Sequence, residues 1–195
     1  KARVNIGINK VPGINGIVKE QMKTVFAIGP SIEYQERASD SVKYGTIANN
    51  PTIEFTIPSL INHEFAPDGK HVLSATVQYA PYHLRDQVWS SELNEQIKNN
   101  VVRVLENYIP DFSSLIEATL VLSPKDLEDQ FGLTEGNLNH GEMTLDQFFF
   151  MRPTISTAQY KSPIENLYLC GPGTHPGGGL HGANGFNAAQ EILKG

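Results

Sequence analysis

Apolar and polar residues alternate through the first half of the chain. Val4, Ile6 and Ile8 stand two apart, and Ile53, Phe55 and Ile57 repeat the spacing until Pro58 interrupts it. A period of two places one set of side chains on one face of a strand. His71 to Tyr82 (HVLSATVQYAPY) is rich in β-branched and aromatic residues and follows the turn formers Pro67, Asp68, Gly69 and Lys70, so it reads as a central strand. Val25 to Ile32 and Lys43 to Ile47 read as short helices or turns. From Ser90 or Ser91 to Tyr108 the period changes. Trp89, Leu93, Ile97, Val101 and Leu105 fall every four residues and Pro110 closes the run, which predicts an amphipathic helix whose stripe packs on a core. Leu115 to Leu122 reads as another strand. Ser123 as N-cap, Pro124 at the first helical position and Asp126 three residues on predict a short helix ending at Gly132.

The remainder follows a different pattern. Residues 132–147 (GLTEGNLNHGEMTLDQ) are polar loop, followed abruptly by FFFMRP. Asn166 to Cys170 (NLYLC) then reads as a short strand, GPGTHPGGGLHG as a glycine loop, and Ala183 to Leu193 as a terminal helix. A strand leading through glycines into a helix is half of a βαβ unit, and no parallel partner strand follows it. That partner is expected before Lys1 or in another chain. No repeat or low-complexity tract is visible.

Composition narrows the classes. The 195 residues carry 15 Lys and Arg against 21 Asp and Glu, a net charge of −6, which opposes counterion-driven nucleic-acid binding. With 39% hydrophobic and 18% charged residues, the chain suits one globular domain, or one plus a fragment. The single cysteine, Cys170, and the lack of an Asn-x-Ser/Thr acceptor without a central proline point to a reducing, cytoplasmic setting. No apolar run reaches the roughly 18 residues of a membrane span and no signal peptide opens the chain, so it reads as soluble. Starting at Lys1 and not at methionine, it reads as a processed or partial chain.

Seven glycines lie between residues 171 and 185: Gly171, Gly173, Gly177, Gly178, Gly179, Gly182 and Gly185. Glycine at that density lets backbone approach a ligand closely, and the helix that follows offers unpaired N–H groups and a positive dipole end. An anionic or electron-rich ligand suits such a place. Pro176 spoils a dinucleotide fingerprint counted from Gly171, and Gly179 stands where a Walker A loop needs lysine. Cys170, His175 and His181 match no common zinc spacing and lack a fourth ligand, so no metal is expected; no G-x-S-x-G elbow is present. His140, Glu142 and Asp146 cluster before the aromatic run, and His140 is the candidate acid or base among them. Phe148, Phe149, Phe150 and Met151 are either core or the wall of an apolar pocket. His63, His71 and His83 read as packing or solvated residues.

NLYLCGPGTHPGGGLHGANGFNAA and HGEMTLDQFFFMRP resemble signatures of the phytoene desaturase-like (carotenoid desaturase-type) FAD-dependent oxidoreductases. The likeness runs upstream through LSPKDLEDQFGLTEGN, HVLSATVQYAPY and PTIEFTIPS and covers nearly the whole chain. It implies an α/β flavoprotein of interleaved domains. Residues 1–160 would be a substrate-domain portion, α+β with a mainly antiparallel sheet and flanking helices. Residues 161–195 would be the returning strand, glycine loop and helix of a Rossmann-type FAD domain whose amino-terminal fingerprint is absent here. It further implies FAD contacts from Gly171, Gly173, Gly177, Gly178, Gly179, Leu180, Gly182 and Ala183, and a lipophilic substrate touching Met143, Phe148, Phe149 and Met151. Hydride transfer from the substrate to flavin, or isomerisation of the substrate, is implied as well, with peripheral membrane contact. Without the rest of the FAD domain, apolar surface around Leu167, Leu169 and the terminal helix is expected to be exposed and to drive homo-oligomers. Relatives commonly carry GAPGRNAA where this chain has Asn184 for proline and Phe186 for arginine, which questions any phosphate contact of that arginine. The isolated chain is expected to lack FAD and activity. The competing expectation is a noncatalytic binding or interaction module from a truncated or split gene.

Overall fold

The computed structural model describes residues 1–141 and 144–194, which form two compact units, Lys1–Gly136 and Asn137–Gly195. The first is built on a five-stranded antiparallel sheet of β1 (Ala2–Ile8), β2 (Phe26–Ile28), β3 (Thr52–Thr56), β4 (His71–Gln78) and β5 (Ile116–Leu122), in the order β2-β3-β4-β1-β5. β4 holds the central position expected of it. Registers such as Val4↔Ala75, Ile6↔Leu73 and Phe55↔Ala75 stack the alternating apolar residues on one face. Val4 and Ile6 are fully buried there with Leu73 and Ile53. Against this face lies α2 (Ser91–Glu106), presenting Ile97, Val101, Val104 and Leu105. Removing one such side chain, as in Leu105→Ala, would cost about 2–5 kcal/mol through lost burial and the cavity left behind.

The opposite face is polar along its middle, with Arg3, Asn5, Ser74 and Thr76 half-buried. α3 (Phe112–Leu115) is a single turn that buries Phe112 beneath α2 and delivers the chain into β5. α4 (Pro124–Phe131) begins as its sequence predicts. The Ser123 hydroxyl accepts from the Asp126 N–H at 3.1 Å, and the Asp126 carboxylate accepts from the Ser123 N–H at 2.9 Å and its hydroxyl at 2.6 Å. Asn94 of α2 donates to the same carboxylate at 3.2 Å. Burial pushes the Asp126 carboxyl up, but the Ser123 and Asn94 hydrogen bonds outweigh it and hold it below the usual range. Gly132, at φ +66°, ends the helix.

Two expectations need correction. Residues Val25–Ile32 are neither helix nor turn throughout: Phe26–Ile28 is edge strand β2, its Phe26 ring stacked on Phe55 at 5.0 Å. The helix of this region, α1 (Ile32–Lys43), lies between the two segments suspected of being helical. Only its Ala38 and Ser41 are buried, so it has no apolar stripe from which a period could be read. Ser31 caps it, accepting from the Tyr34 N–H at 3.1 Å. Asn166–Cys170, expected as a strand, makes only the isolated bridge Lys161↔Tyr168. A strand exists through its neighbours' hydrogen bonds, and among the described residues the second unit brings only residues 160–162 alongside, through the Ser162 N–H to Leu167 carbonyl and Leu169 N–H to Tyr160 carbonyl bonds.

The second unit consists of short turns of helix, the glycine loop and α5 (Ala183–Leu193), whose bounds are those expected. Compactness divides the chain at Gly136/Asn137, whereas the expected division by origin fell at 160/161. The two differ because residues 137–160 bond to the glycine segment. Among the described residues no helix is long and apolar enough to cross a membrane.

Candidate functional site

The glycine loop is held from beneath by buried polar side chains. Asn184, on the first turn of α5 and 7% exposed, directs its amide Nδ2 at the carbonyls of Gly171 (3.1 Å), Thr174 (2.9 Å) and His175 (3.4 Å) and at the Thr174 hydroxyl (3.2 Å). Thr174, 2% exposed, donates its own hydroxyl to the Gly171 carbonyl at 2.8 Å. Tyr160 donates to the His175 carbonyl at 2.8 Å and accepts from Asn187 of α5 at 2.8 Å. Backbone carbonyls turned inward by a tight loop need such donors, because a buried unpaired carbonyl costs free energy. Residue-by-residue reading missed Asn184, Thr174, Tyr160 and Asn187 as site residues. Asn184 registered only as a departure from the resembling pattern, and its signal was an amide side chain at a helix start, a place where asparagine binds backbone.

Arg152 ties the preceding segment to the same loop. It is 2% exposed and donates to the carbonyls of His140 (2.8 Å) and Pro172 (3.1 Å). His140 and the glycines are therefore neighbours: a Cβ built on Gly173 would lie 3.4 Å from the His140 ring, and one on Gly178 would lie 3.2 Å from the Asn139 carbonyl. The Phe149 ring lies 5.6 Å from that of His175 and 6.1 Å from that of Phe148. Phe148 and Met151 are half-buried and Phe149 is exposed. Met143 and Glu142 lie outside the described residues. Phe186, the other departure, is exposed on α5.

The upper side of the loop is bare. Gly179 at φ +133° and Gly182 at φ +66° take the left-handed turns that lead into α5, with Leu180 fully exposed between them. Ala183 donates its N–H to the His181 ring at 3.1 Å. The N–H groups of Asn184 and Gly185 donate to no other group among the described residues. Nothing lies within 4 Å of where a Cβ would stand on Gly182 or Gly185. Two free donors at a positive helix end, with open space at Gly182 and Gly185 beyond their chain neighbours, suit the oxygen and nitrogen edge of a flat, electron-accepting ring. The residues present thus fit the ring end of a flavin.

The class defined here is a mixed α/β protein in which an antiparallel-sheet unit is joined to a glycine-loop and helix unit. No family model matches the chain. Among individual proteins, pyridine nucleotide-disulfide oxidoreductase domain-containing protein 2 of Rattus norvegicus is 41% identical over 159 residues, which are 81% of this chain and 27% of that protein. Phytoene desaturase (lycopene-forming) of Pantoea ananas is 26% identical over 164 residues, 82% of this chain and 32% of the relative. One of the polypeptides of limonene dehydrogenase from Castellaniella defragrans is 35% identical over 62 residues, 32% of this chain and 11% of the relative. The chain is a relative of the phytoene desaturase-like oxidoreductases, on the branch of pyridine nucleotide-disulfide oxidoreductase domain-containing protein 2. It spans about a quarter of the length of the latter and about a third of the desaturase.

Proposed function

We propose that the chain is part of an FAD-dependent oxidoreductase acting by hydride transfer on a lipophilic substrate. In this reading residues 161–195 are the returning piece of a Rossmann-type FAD domain and residues 1–160 belong to the substrate domain. The pyrophosphate-binding fingerprint belongs to sequence outside these 195 residues. The observation that carries the reading is the start of α5, where the Asn184 and Gly185 N–H groups are unspent among the described residues and the positions flanking Gly182 and Gly185 are open. It gains weight from the names of the relatives, an oxidoreductase, a phytoene desaturase and a limonene dehydrogenase.

A bound flavin would supply the hydride acceptor. The chain's own contribution is electrostatic and steric. The free N–H groups and the positive end of α5 stabilise negative charge placed against them. Asn184 and Thr174 keep those donors aimed by holding the loop's carbonyls. Leu180 and Phe149 are exposed apolar side chains of the same unit, open to cover by a bound ring or substrate. His140, beside Gly173, is the group able to take or return a proton.

The test is the absorption spectrum of the complete gene product. A flavin spectrum retained after desalting is expected, and His140→Ala should keep that flavin while slowing turnover. The 195-residue chain alone should purify without flavin, since ring-side contacts omit the pyrophosphate cradle. A complete protein that is colourless and stays so with added FAD would refute the reading.

A further inference from the structure

We infer that the polar face of the sheet in the first unit is a carboxylate-binding site centred on Arg3 and Asn5, shaped for an amphiphilic acid. Arg3 and Asn5 lie on β1, an interior strand, with side chains on the face away from α2. Arg3 pairs in register with Thr76 on one side and Leu122 on the other; Asn5 pairs with Ser74 and Leu120, and Gly7 with Val72 and Ala118. The Arg3 guanidinium donates to the Thr76 hydroxyl and, at 2.8 Å, to the Ser74 hydroxyl. Ser74 passes its single proton to the Asn5 side-chain oxygen at 2.7 Å.

That direction of donation has a consequence at each end. Asn5 is oriented with its oxygen occupied and its NH2 group bonded to nothing else among the described residues. Arg3 has spent two of its five N–H groups on hydroxyls. Among the described residues no carboxylate pairs with it. Glu54 shares its cross-strand row, on β3 opposite Thr76, and makes no ion pair with Arg3. A guanidinium partly withdrawn from water and left with free N–H groups gains from an anionic partner. Here the network ends in donors alone, and a carboxylate matches donors set side by side.

The ground next to these donors is apolar. Leu120 is 54% exposed opposite Asn5, and Ala118 and Val72 flank Gly7. Gly7 has no side chain to fill the space, and Ala118 Cβ is the nearest atom, 3.7 Å from where its Cβ would be. A ligand with a carboxylate head at Arg3 and an aliphatic tail along Gly7, Ala118 and Leu120 fits both halves. As a statement about the oxidoreductase's substrate this rests on the function proposed above, whereas the binding itself stands on the sheet alone.

The experiment titrates the chain with decanoate, decan-1-ol and acetate below micelle-forming concentrations and follows backbone amide resonances of residues 1–8, 71–78 and 116–122. Saturable decanoate binding that shifts these strands is expected, about tenfold tighter than decanol from one charge-assisted contact and at least about tenfold tighter than acetate from burial of the tail. Arg3→Met, which keeps length and removes charge, should lose that tenfold preference while leaving the decanol response unchanged. Should Arg3→Met not fold, Asn5→Asp serves instead, since it presents Arg3 with an internal carboxylate and should abolish the same preference. Equal binding of decanoate and decanol, or unchanged decanoate affinity in either folded variant, would overturn the inference. Flavin plays no part in the measurement, so failure of the oxidoreductase reading would leave the expected result in place.

Discussion

Replacing Asn184 with alanine removes the amide that gathers the glycine loop, and the structure sets the size of the effect. The Nδ2 group has two hydrogens, so of its four neighbours at 2.9 to 3.4 Å it satisfies two at a time. The carbonyls it leaves are not orphaned. Gly171 keeps the Thr174 N–H at 3.1 Å and hydroxyl at 2.8 Å, and Thr174 keeps the Gly177 N–H at 2.8 Å. The loss is therefore two net hydrogen bonds, about 2 kcal/mol, without a further desolvation penalty. Alanine's higher helix propensity returns about 0.5 kcal/mol, leaving about 1.5 kcal/mol, or slightly more than tenfold in a local opening equilibrium. Hydrogen exchange at the Thr174 and Gly177 amides reads this directly, while Trp89 fluorescence reports on the first unit and should not change. Asn184→Asp keeps the shape but turns a carboxylate toward three carbonyls, so protection should fall further than in the alanine variant. Protection at both amides unchanged within a factor of about three, in both variants, would show that Asn184 does not hold the loop.

Gly185→Ala meets nothing within 4 Å and has no left-handed φ to resist it, so in the flavin-free chain it should stabilise α5 by about 0.5–1 kcal/mol. In the complete protein the same methyl should weaken flavin binding, and unchanged FAD affinity would place the ring elsewhere. Gly179→Val discriminates less well, because φ +133° and the His181 ring 2.8 Å from its Cβ already oppose any side chain. Ser123→Ala should cost about 1 kcal/mol near neutral pH, measured by urea unfolding with Trp89 as reporter. Asp126 is held below the ordinary carboxylate range, so its part of the capping box is complete above about pH 4 and is lost as pH falls through its lowered value. The Ser123→Ala difference should accordingly shrink toward pH 3, and an equal difference at both pH values would refute the assignment. Phe186, Leu193 and Leu180 are exposed together with Leu167 and Ile192, and we expect self-association through them. Sedimentation showing only monomer at tens of micromolar, a range in which weak interfaces form, would exclude it.

Patterns that act over a few residues were readable from the chain alone. Alternation at Val4, Ile6 and Ile8 implies a one-sided strand wherever its partners are, because the period belongs to the backbone. Ser123, Pro124, Asp126 and Gly132 mark both ends of α4 through bonds made within ten residues. Ala183–Leu193 and the glycines before it declared a loop feeding a helix start. The family likeness rested on the same local runs.

Only the tertiary structure decided what needs a distant partner. Residues 166–170 have strand composition, yet a ladder requires a neighbour, and the second unit supplies a single bridge. α1 hides from periodicity because its exposed surface is held by a cap and by ion pairs such as Arg37–Glu33 at 2.6 Å, with little of it facing a core. The sheet order puts β1 between β4 and β5, two elements more than sixty residues downstream of it, and so creates the Arg3, Ser74 and Asn5 network. Asn184 reads in sequence as an absent proline; its four contacts with residues 171 to 175 exist only once the loop folds back over the helix that follows it. Local order is dictated by short-range sterics and hydrogen bonding, whereas these sites depend on which segments the collapse of the apolar face brings side by side.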